Sequence, residues 1–138
     1  MTVLKRLGII CLVLLTSACS SDDDSGGDMQ GDINVASLLQ SGKWYQESIT
    51  PGSFTDCEKN TNIEFNDNGA FFLESFDEDS GPCASTGVET GTFTRMNNDI
   101  SITVGATVIN VVIDSISQES LTVTTSDGDT ITFDKVQG

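Results

Sequence analysis

Residues 99–135 read DISITVGATVINVVIDSISQESLTVTTSDGDTITFDK, and apolar residues alternate with polar ones along most of this stretch. Alternation with a period of two is typical of β-strands that bury one face. Gly105, the segment 117–120 and Asp127-Gly128 interrupt the alternation, and such residues are typical of turns. The stretch therefore predicts four consecutive antiparallel strands.

The same pattern extends upstream to residue 43. Asp67-Asn68-Gly69 is typical of a tight hairpin turn, because asparagine and glycine tolerate positive φ. Residues 33–40 carry apolar side chains at helical spacing behind Asp32, a candidate N-cap. They predict one or two turns of helix, with a loose apolar segment as the alternative. We therefore predict an all-β fold, a small up-and-down antiparallel eight-stranded β-barrel with a short N-terminal helix. The predicted strands are 43–49, 60–66, 70–76, 87–95, 100–104, 107–114, 121–124 and 130–135.

Two interpretations of the barrel interior are open. Its side chains form either an apolar cup for a small hydrophobic ligand, which an eight-stranded barrel is wide enough to hold, or a core that fills the barrel by itself. Short strands span only about 20 Å, and bulky aromatic residues then leave little empty space at native packing density, which favours the filled core. Trp44 is expected to anchor that core. The predicted inward-facing residues are Trp44, Ile63, Phe65, Phe71, Leu73, Phe93, Ile100, Ile102, Val104, Ile109, Val111, Ile113, Leu121, Val123, Ile131 and Phe133.

The N-terminal residues carry an export signal. Two basic residues precede an apolar stretch over residues 7–15, which is too short to span a bilayer, and Ser17-Ala18 then precedes Cys19. This order resembles the cleavage and lipidation signal of bacterial lipoproteins. The resemblance implies that residues 1–18 are a signal peptide and that Cys19 becomes an N-terminus carrying acyl chains such as palmitate. The alternative is an ordinary secretory signal cut before a free Cys19.

Residues 19–32 are polar, acidic and rich in glycine and serine, and they predict a disordered tether ahead of a barrel domain over residues 33–138. The acidic cluster Asp22-Asp23-Asp24 resembles the surface-export signal of some Gram-negative lipoproteins, although it also fits a solvated linker. Two or more acyl chains hold a protein stably on one leaflet. We therefore expect a cell-envelope protein that is lipid-anchored to the outer membrane and exposed at the cell surface.

Charge and composition exclude several classes of function. The chain has 6 basic and 21 acidic residues and a net charge of −15, so nucleic acid is not an expected partner. It has 0 histidines, which removes the usual general base and the commonest zinc ligand. Asp77-Glu78-Asp79 and Asp127-Gly128-Asp129 are candidates for glycosidase carboxylates or a weak calcium site, but solvated turn acids are the simpler interpretation. We predict no enzyme activity, no cofactor and no metal.

Two cysteines remain for the folded domain, Cys57 and Cys83. Outside the cytoplasm such a pair favours a disulfide, whereas a catalytic dithiol calls for closer spacing and a local cation, and Lys59 is the one base nearby. Across the hairpin centred on Asn68, position 57 faces roughly position 79, so both sulfurs fall at one rim of the barrel.

Gly42-Lys43-Trp44 resembles the Gly-x-Trp signature of lipocalins, and a wider pattern over residues 33–136 is similar to the lipocalin-like domains of bacterial lipoproteins. The late arginine that packs over the tryptophan in lipocalins has no clear counterpart, and Lys135 is nearest in position. The resemblance implies a barrel that binds rather than catalyses. The wider pattern consists of Trp44, Cys57, Phe65, Asn68-Gly69, Cys83 and Gly91-Thr92-Phe93.

Function is expected at one rim, where the two longest connections, residues 50–59 and 77–86, meet. Loops held on a rigid barrel commonly carry binding sites. The first hypothesis is a surface-tethered, non-enzymatic binding module for a small apolar ligand. The alternative is an accessory lipoprotein with a filled barrel that docks onto another envelope protein; an enzyme is the third and least supported. The residues expected to line a ligand or partner surface are Phe54, Asp56, Glu58, Asp77, Glu78 and Asp79.

Overall fold

The structure is a computed structural model that describes residues 34–138, and these residues form a closed antiparallel barrel. Each strand pairs with the next along the chain, and the last strand returns to pair with the first. The predicted eight-stranded up-and-down barrel with a short helix on its N-terminal side is confirmed. The elements are α1 (34–39), β1 (Trp44–Thr50), the 3₁₀ turn η1 (Glu58–Asn60), β2 (Asn62–Phe65), β3 (Ala70–Asp77), β4 (Ala84–Met96), β5 (Asp99–Val104), β6 (Thr107–Ile116), β7 (Ser120–Thr125) and β8 (Thr130–Asp134).

The predicted signal peptide (1–18), the tether (19–32) and the lipidated Cys19 lie outside the described residues. Within residues 34–138, no helix is long and apolar enough to cross a membrane.

The alternating sequence places one face of each strand inside the barrel. In β5, Ile100 and Ile102 are buried, whereas Ser101 and Thr103, which alternate with them, are not. The same alternation in β6 buries Val111. Directly opposed residues of an antiparallel pair point to the same face of the sheet. The pairing of two strands therefore identifies the inward-facing residues of one strand from those of the other.

The apolar core lies inside the barrel and is aromatic near the β2–β3 turn. The rings of Phe65 and Phe71 have centroids 5.3 Å apart, and the ring of Phe93 meets that of Phe65 edge to face at 4.9 Å. The buried members of the core are Leu39, Trp44, Phe65, Phe71, Ile100, Ile102, Val111, Ile113, Leu121, Val123 and Phe133.

One residue of the predicted core is too exposed for that description. Ile109 lies on the inward side of β6 but keeps 38% of its surface accessible. It lies near the start of β6, in a stretch that pairs with β5 before the pairing with β7 begins at Val111. The predicted face is correct, and the predicted burial is wrong.

Two strands begin two or more residues away from their predicted start. β2 begins at Asn62 rather than at residue 60, because Glu58–Asn60 form the turn η1. β4 begins at Ala84 rather than at Gly87, and Gly87, with a φ of +123°, lies at a register irregularity of the β3–β4 ladder. Pairing of β4 with β5 starts only at Thr92. Residues 75–77 and 84–90 therefore form an extended hairpin end, which we call the overhang; within residues 34–138, its β4 part pairs with β3 alone.

Two positions require glycine, one because of its backbone conformation and the other because a side chain would not fit. Gly69 takes a φ of +84° in the β2–β3 turn, as the Asn-Gly motif predicts. Gly91 lies where β4 approaches β5 closely, since a Cβ there would come within 2.1 Å of the Thr103 carbonyl oxygen.

Candidate functional site

The barrel has a closed end, where β1 begins and β8 finishes. There Trp44 is completely buried, and its indole Nε1 donates a hydrogen bond to the Leu39 carbonyl oxygen of α1 at 3.0 Å. The Lys135 Nζ lies 3.5 Å from the centroid of the Trp44 ring and donates to the Lys43 carbonyl oxygen at 3.2 Å. The helix α1 and the side chains of Trp44 and Lys135 together close this end of the barrel.

Lys135 thus packs over the tryptophan, at the place where the lipocalin resemblance puts an arginine. Burial lowers the pKa of the Lys135 ammonium, and the Glu64 carboxylate partly opposes that shift. The Trp44 ring face also favours the charged ammonium through a cation–π interaction. Sequence reasoning gave Lys135 only as the nearest residue in position, because nothing in the pattern of β8 shows what its side chain contacts.

The opposite end, which carries the β1–β2, β3–β4, β5–β6 and β7–β8 connections, is open; we call it the loop end. Ile109 pairs directly with Ile102, which is 5% exposed, so both side chains point inward. Ile109 is far more exposed than its partner because, within residues 34–138, the pairing of β6 with β7 starts only at Val111 and gives Ile109 no β7 neighbour. Leu73, Val104 and Ile131 are likewise only partly buried.

These residues leave part of the inward apolar face exposed towards the loop end. Ile49 belongs to it as well, because it pairs with Ile131 across the β1–β8 ladder and is half-buried. We call this partly exposed apolar face the cup and define it by Ile49, Leu73, Val104, Ile109 and Ile131. Towards the closed end the aromatic residues pack against one another, as the filled-core interpretation predicts, whereas an apolar cup that holds a ligand stays a prediction.

The predicted disulfide is present at the loop end. Cys57 and Cys83 are bonded with their Cα atoms 5.5 Å apart and a sequence separation of 26. Cys57 is buried and Cys83 is exposed. The bond joins the β1–β2 connection to the β3–β4 connection, as the hairpin argument predicts.

The β1–β2 connection holds half of the predicted binding residues. Phe54 is half-buried, and Asp56 is exposed. Glu58 is half-buried, and its carboxylate accepts a hydrogen bond from the Thr55 backbone N–H at 2.8 Å, while the Glu58 N–H donates to the Thr55 hydroxyl at 3.1 Å. This reciprocal pair braces η1, so the Glu58 side chain has a local structural role.

The other half lies in the β3–β4 connection. Asp77 closes β3 and accepts a weak hydrogen bond from the Asp79 N–H at 3.4 Å, and Glu78 and Asp79 are exposed. The structure brings both groups of predicted residues to the same end, linked by the disulfide. That any of them contacts a ligand or partner stays a prediction.

Glu89 is a residue of the loop end that sequence reasoning missed. It lies directly opposite Leu73 in the β3–β4 ladder, so its side chain is on the inward face, next to the cup. It is exposed, because the β4 strand has passed the end of β5 at this point. The register with Leu73 is the signal that identifies it, and that register depends on the irregularity near Gly87.

Two grooves lie on the outer wall of the barrel. The larger, about 430 Å³, crosses β4 to β7 between two rows of outward side chains that include Thr94, Met96, Asn110 and Val112. The smaller, about 210 Å³, crosses β1 to β4 and contains an ion pair between Lys43 and Glu74 at 3.6 Å. A side-chain hydrogen bond with Ser85 is the main cause that lowers the pKa of Glu74. Cup residues line neither groove.

The described residues carry no assembled metal centre. No group of three or more histidine, cysteine, aspartate or glutamate side chains in residues 34–138 is arranged to hold a metal ion. The acids at Asp127 and Asp129 lie in the β7–β8 turn, where Asp129 instead uses its backbone, accepting a hydrogen bond from the Thr125 N–H at 2.8 Å.

Comparison with known proteins identifies the fold. A family model described as a lipocalin-like domain matches residues 41–133. A crystal structure of a lipocalin-like protein from Bacteroides uniformis ATCC 8492 is similar with a TM-score of 0.56 and 16% identity, covering 71% of this chain and 99% of that one. An uncharacterized protein from Bacteroides eggerthii DSM 20697 is similar with a TM-score of 0.54 and 13% identity, covering 69% and 98%. No curated protein matches the chain.

Proposed function

The chain belongs to the lipocalin-like domain family, and on that premise we propose that it is a lipid-anchored binding protein of the cell envelope whose cup holds a small apolar ligand. Families with this fold are generally non-enzymatic binding proteins. A barrel of this kind binds without chemistry, by removing apolar surface of a ligand from water.

The exposure of Ile109 is the observation that carries the proposal. An inward-facing isoleucine with 38% of its surface accessible leaves apolar wall in contact with water at the barrel mouth. Covering apolar surface stabilises a complex by about 25 cal/mol per Å² before the costs of association. The closed end does not offer such a surface, since Trp44 is fully buried there.

The proposal predicts that an aspartate in the cup abolishes binding of an uncharged apolar dye. Ile109→Asp should raise the Kd for Nile red by at least about tenfold, because a carboxylate would have to be desolvated against the dye. Fluorescence titration of purified protein measures this, and the circular dichroism spectrum checks that the barrel is intact.

Val88→Asp is the matched control. Val88 is also an exposed β-branched residue, 58% accessible, but it pairs with Glu74 and faces outward. It should leave the Kd unchanged. All variants share one N-terminus, so dye taken up by the acyl chains cancels in the comparison. Equal loss of dye binding in both variants, or no binding by the unaltered protein, would contradict the cup as a ligand site.

The anchor is proposed from the N-terminal sequence, where Ser17-Ala18 precedes Cys19. Stable attachment by two or more acyl chains and the acidic tether behind them support a position on the outer membrane, at the cell surface.

Cys19→Ser should therefore give uncut precursor without acyl label, measured by mass spectrometry and by metabolic labelling with a fatty acid. Cys11→Ser is the control, since Cys11 follows the bulky Ile10, and it should be cut and labelled normally. Normal labelling of the Cys19 variant would rule out lipidation at this position.

A second candidate function is docking onto another envelope protein with no small-molecule ligand. The groove across β4 to β7 favours it, because all of its lining residues except Arg95 and Asp99 are uncharged in a chain of net charge −15. A protein that binds no apolar dye, yet is cross-linked to a partner through this wall in intact cells, would fit the docking function and not the cup.

A further inference from the structure

A single carboxylate stands on the inward face beside the cup. Glu89 is directly opposite Leu73, one of the cup residues, and the two side chains share that face. Glu89 is exposed at the mouth, whereas Leu73 below it packs against the core. A ligand lying on Leu73 therefore has a negative charge beside it.

The loop end around this carboxylate is acidic. Its connections follow β1, β3, β5 and β7, and acids occur in three of them, while the β5–β6 turn has none. The acidic residues of the loop end are Asp56, Glu58, Asp77, Glu78, Asp79, Glu89, Asp127 and Asp129.

Most of the basic residues in the range 34–138 lie at the closed end of the barrel. Lys43 and Lys135 lie beside Trp44 at the closed end, and Arg95 lies next to the β4–β5 turn at that end. Lys59, the remaining base, is at the loop end and is ion-paired with Glu47 at 3.6 Å. At the loop end, the eight acids named above therefore face one base, Lys59.

From this placement we propose that the ligand of the cup is an amphiphile with a cationic head group, such as a long-chain amine. The inference rests on the proposed function and specifies its ligand class. A cleft lined by one sign of charge with low-dielectric walls concentrates ligands of the opposite sign and repels those of the same sign. The same field disfavours fatty acids, whose carboxylate would meet Glu89.

The depth of the cup fixes the orientation of such a ligand. The closed half is filled by Trp44, Phe65 and Phe71, so an alkyl chain can enter only as far as the cup residues. Its charged head then stays at the mouth, where water and the acidic side chains solvate it, and no charge has to be buried.

Three ligands with one alkyl chain and different head groups test the inference. Dodecylamine, dodecanol and dodecanoate are titrated at neutral pH against Nile red bound to the purified protein. We expect dodecylamine to bind at least about tenfold more tightly than dodecanoate, with dodecanol between them. The difference between the amine and the carboxylate should shrink as salt rises to about 1 M, because screening then acts within a few ångströms.

Glu89→Gln should lower the affinity for dodecylamine several-fold and leave that for dodecanol unchanged. Glu119→Gln is the matched control, since Glu119 is an exposed acid in the β6–β7 turn at the closed end. It should change neither affinity.

The outcomes separate this inference from the function on which it rests. Equal affinities for the three ligands, or a Glu89→Gln variant with the unaltered preference, would overturn the cationic class while the cup stays a ligand site. Failure of Nile red and all three ligands to bind would overturn the proposed function and this inference with it.

Discussion

Replacing Trp44 with alanine should lower the free energy of unfolding by about 4 kcal/mol, since removal of a fully buried tryptophan loses its apolar contacts and leaves a cavity. The change also removes the hydrogen bond from Nε1 to the Leu39 carbonyl oxygen and the ring beneath Lys135. For a domain of this size, the melting temperature should fall by roughly 20 °C. Urea unfolding followed by circular dichroism measures the effect, because the tryptophan itself is lost as a probe.

Two further variants separate the parts of this loss. Lys135→Met keeps the apolar stem and removes the charge over the ring, and should lower the stability by about 1 kcal/mol, the size of a partly exposed cation–π interaction. Met96→Ala, at a side chain 75% exposed, should change the stability by less than about 0.5 kcal/mol. A Trp44→Ala protein that unfolds at the same urea concentration as Met96→Ala would show that the closed end is not part of the cooperative core.

Removing the disulfide should have the next largest effect. The double variant Cys57→Ala with Cys83→Ala should lose about 3 kcal/mol, because the unfolded chain regains the freedom of a loop with a sequence separation of 26. The folded barrel should keep its circular dichroism spectrum, since the eight strand pairings do not involve either cysteine.

Reduction of the unaltered protein distinguishes the loop constraint from side-chain packing. Cys57 is 5% exposed, so its replacement also loses packing, whereas reduction opens the loop and keeps both side chains. Reduced protein and the double variant should therefore differ by less than each differs from the oxidised protein. Equal stability of the oxidised and reduced proteins would mean that the bond does not restrain the unfolded chain.

The fold could be predicted because its signals are local. The alternation around Ile100 and Ile102 identifies strand faces, and Asn68-Gly69 fixes a hairpin turn by its backbone conformation. The boundaries at Gly87 and Asn60 could not be predicted in the same way. Gly87 resembles a turn residue in sequence, but the structure uses its positive φ inside the β3–β4 ladder, where pairing with a partner strand outweighs local preference.

The site could be predicted only in part. Alternation gives the direction of Ile109 but not its depth, because depth depends on how far the neighbouring strands extend beyond it. The inward position of Glu89 depends on register with Leu73, which no stretch of β4 alone contains. The pairing of Cys57 with Cys83 could be predicted, because it follows from the position of the hairpin turn and from the number of cysteines, and the sequence shows both.

The overhang leaves one edge of β4 unpaired within residues 34–138, and such an edge affects how neighbouring molecules associate. The Phe93 N–H donates a hydrogen bond to the Gly69 carbonyl oxygen, on the β3 side of β4. Because the backbone groups of successive residues point to opposite sides of a strand, those of Val88 and Thr90 point to the other side, where pairing with β5 has not yet begun. An unpaired strand edge is a template on which another chain can add a strand, the first step of edge-to-edge aggregation. Antiparallel addition of a second overhang would bring two Glu89 carboxylates into one small region. Because like charges on opposed strands are destabilising, we expect Glu89 to weaken such pairing of neighbouring barrels.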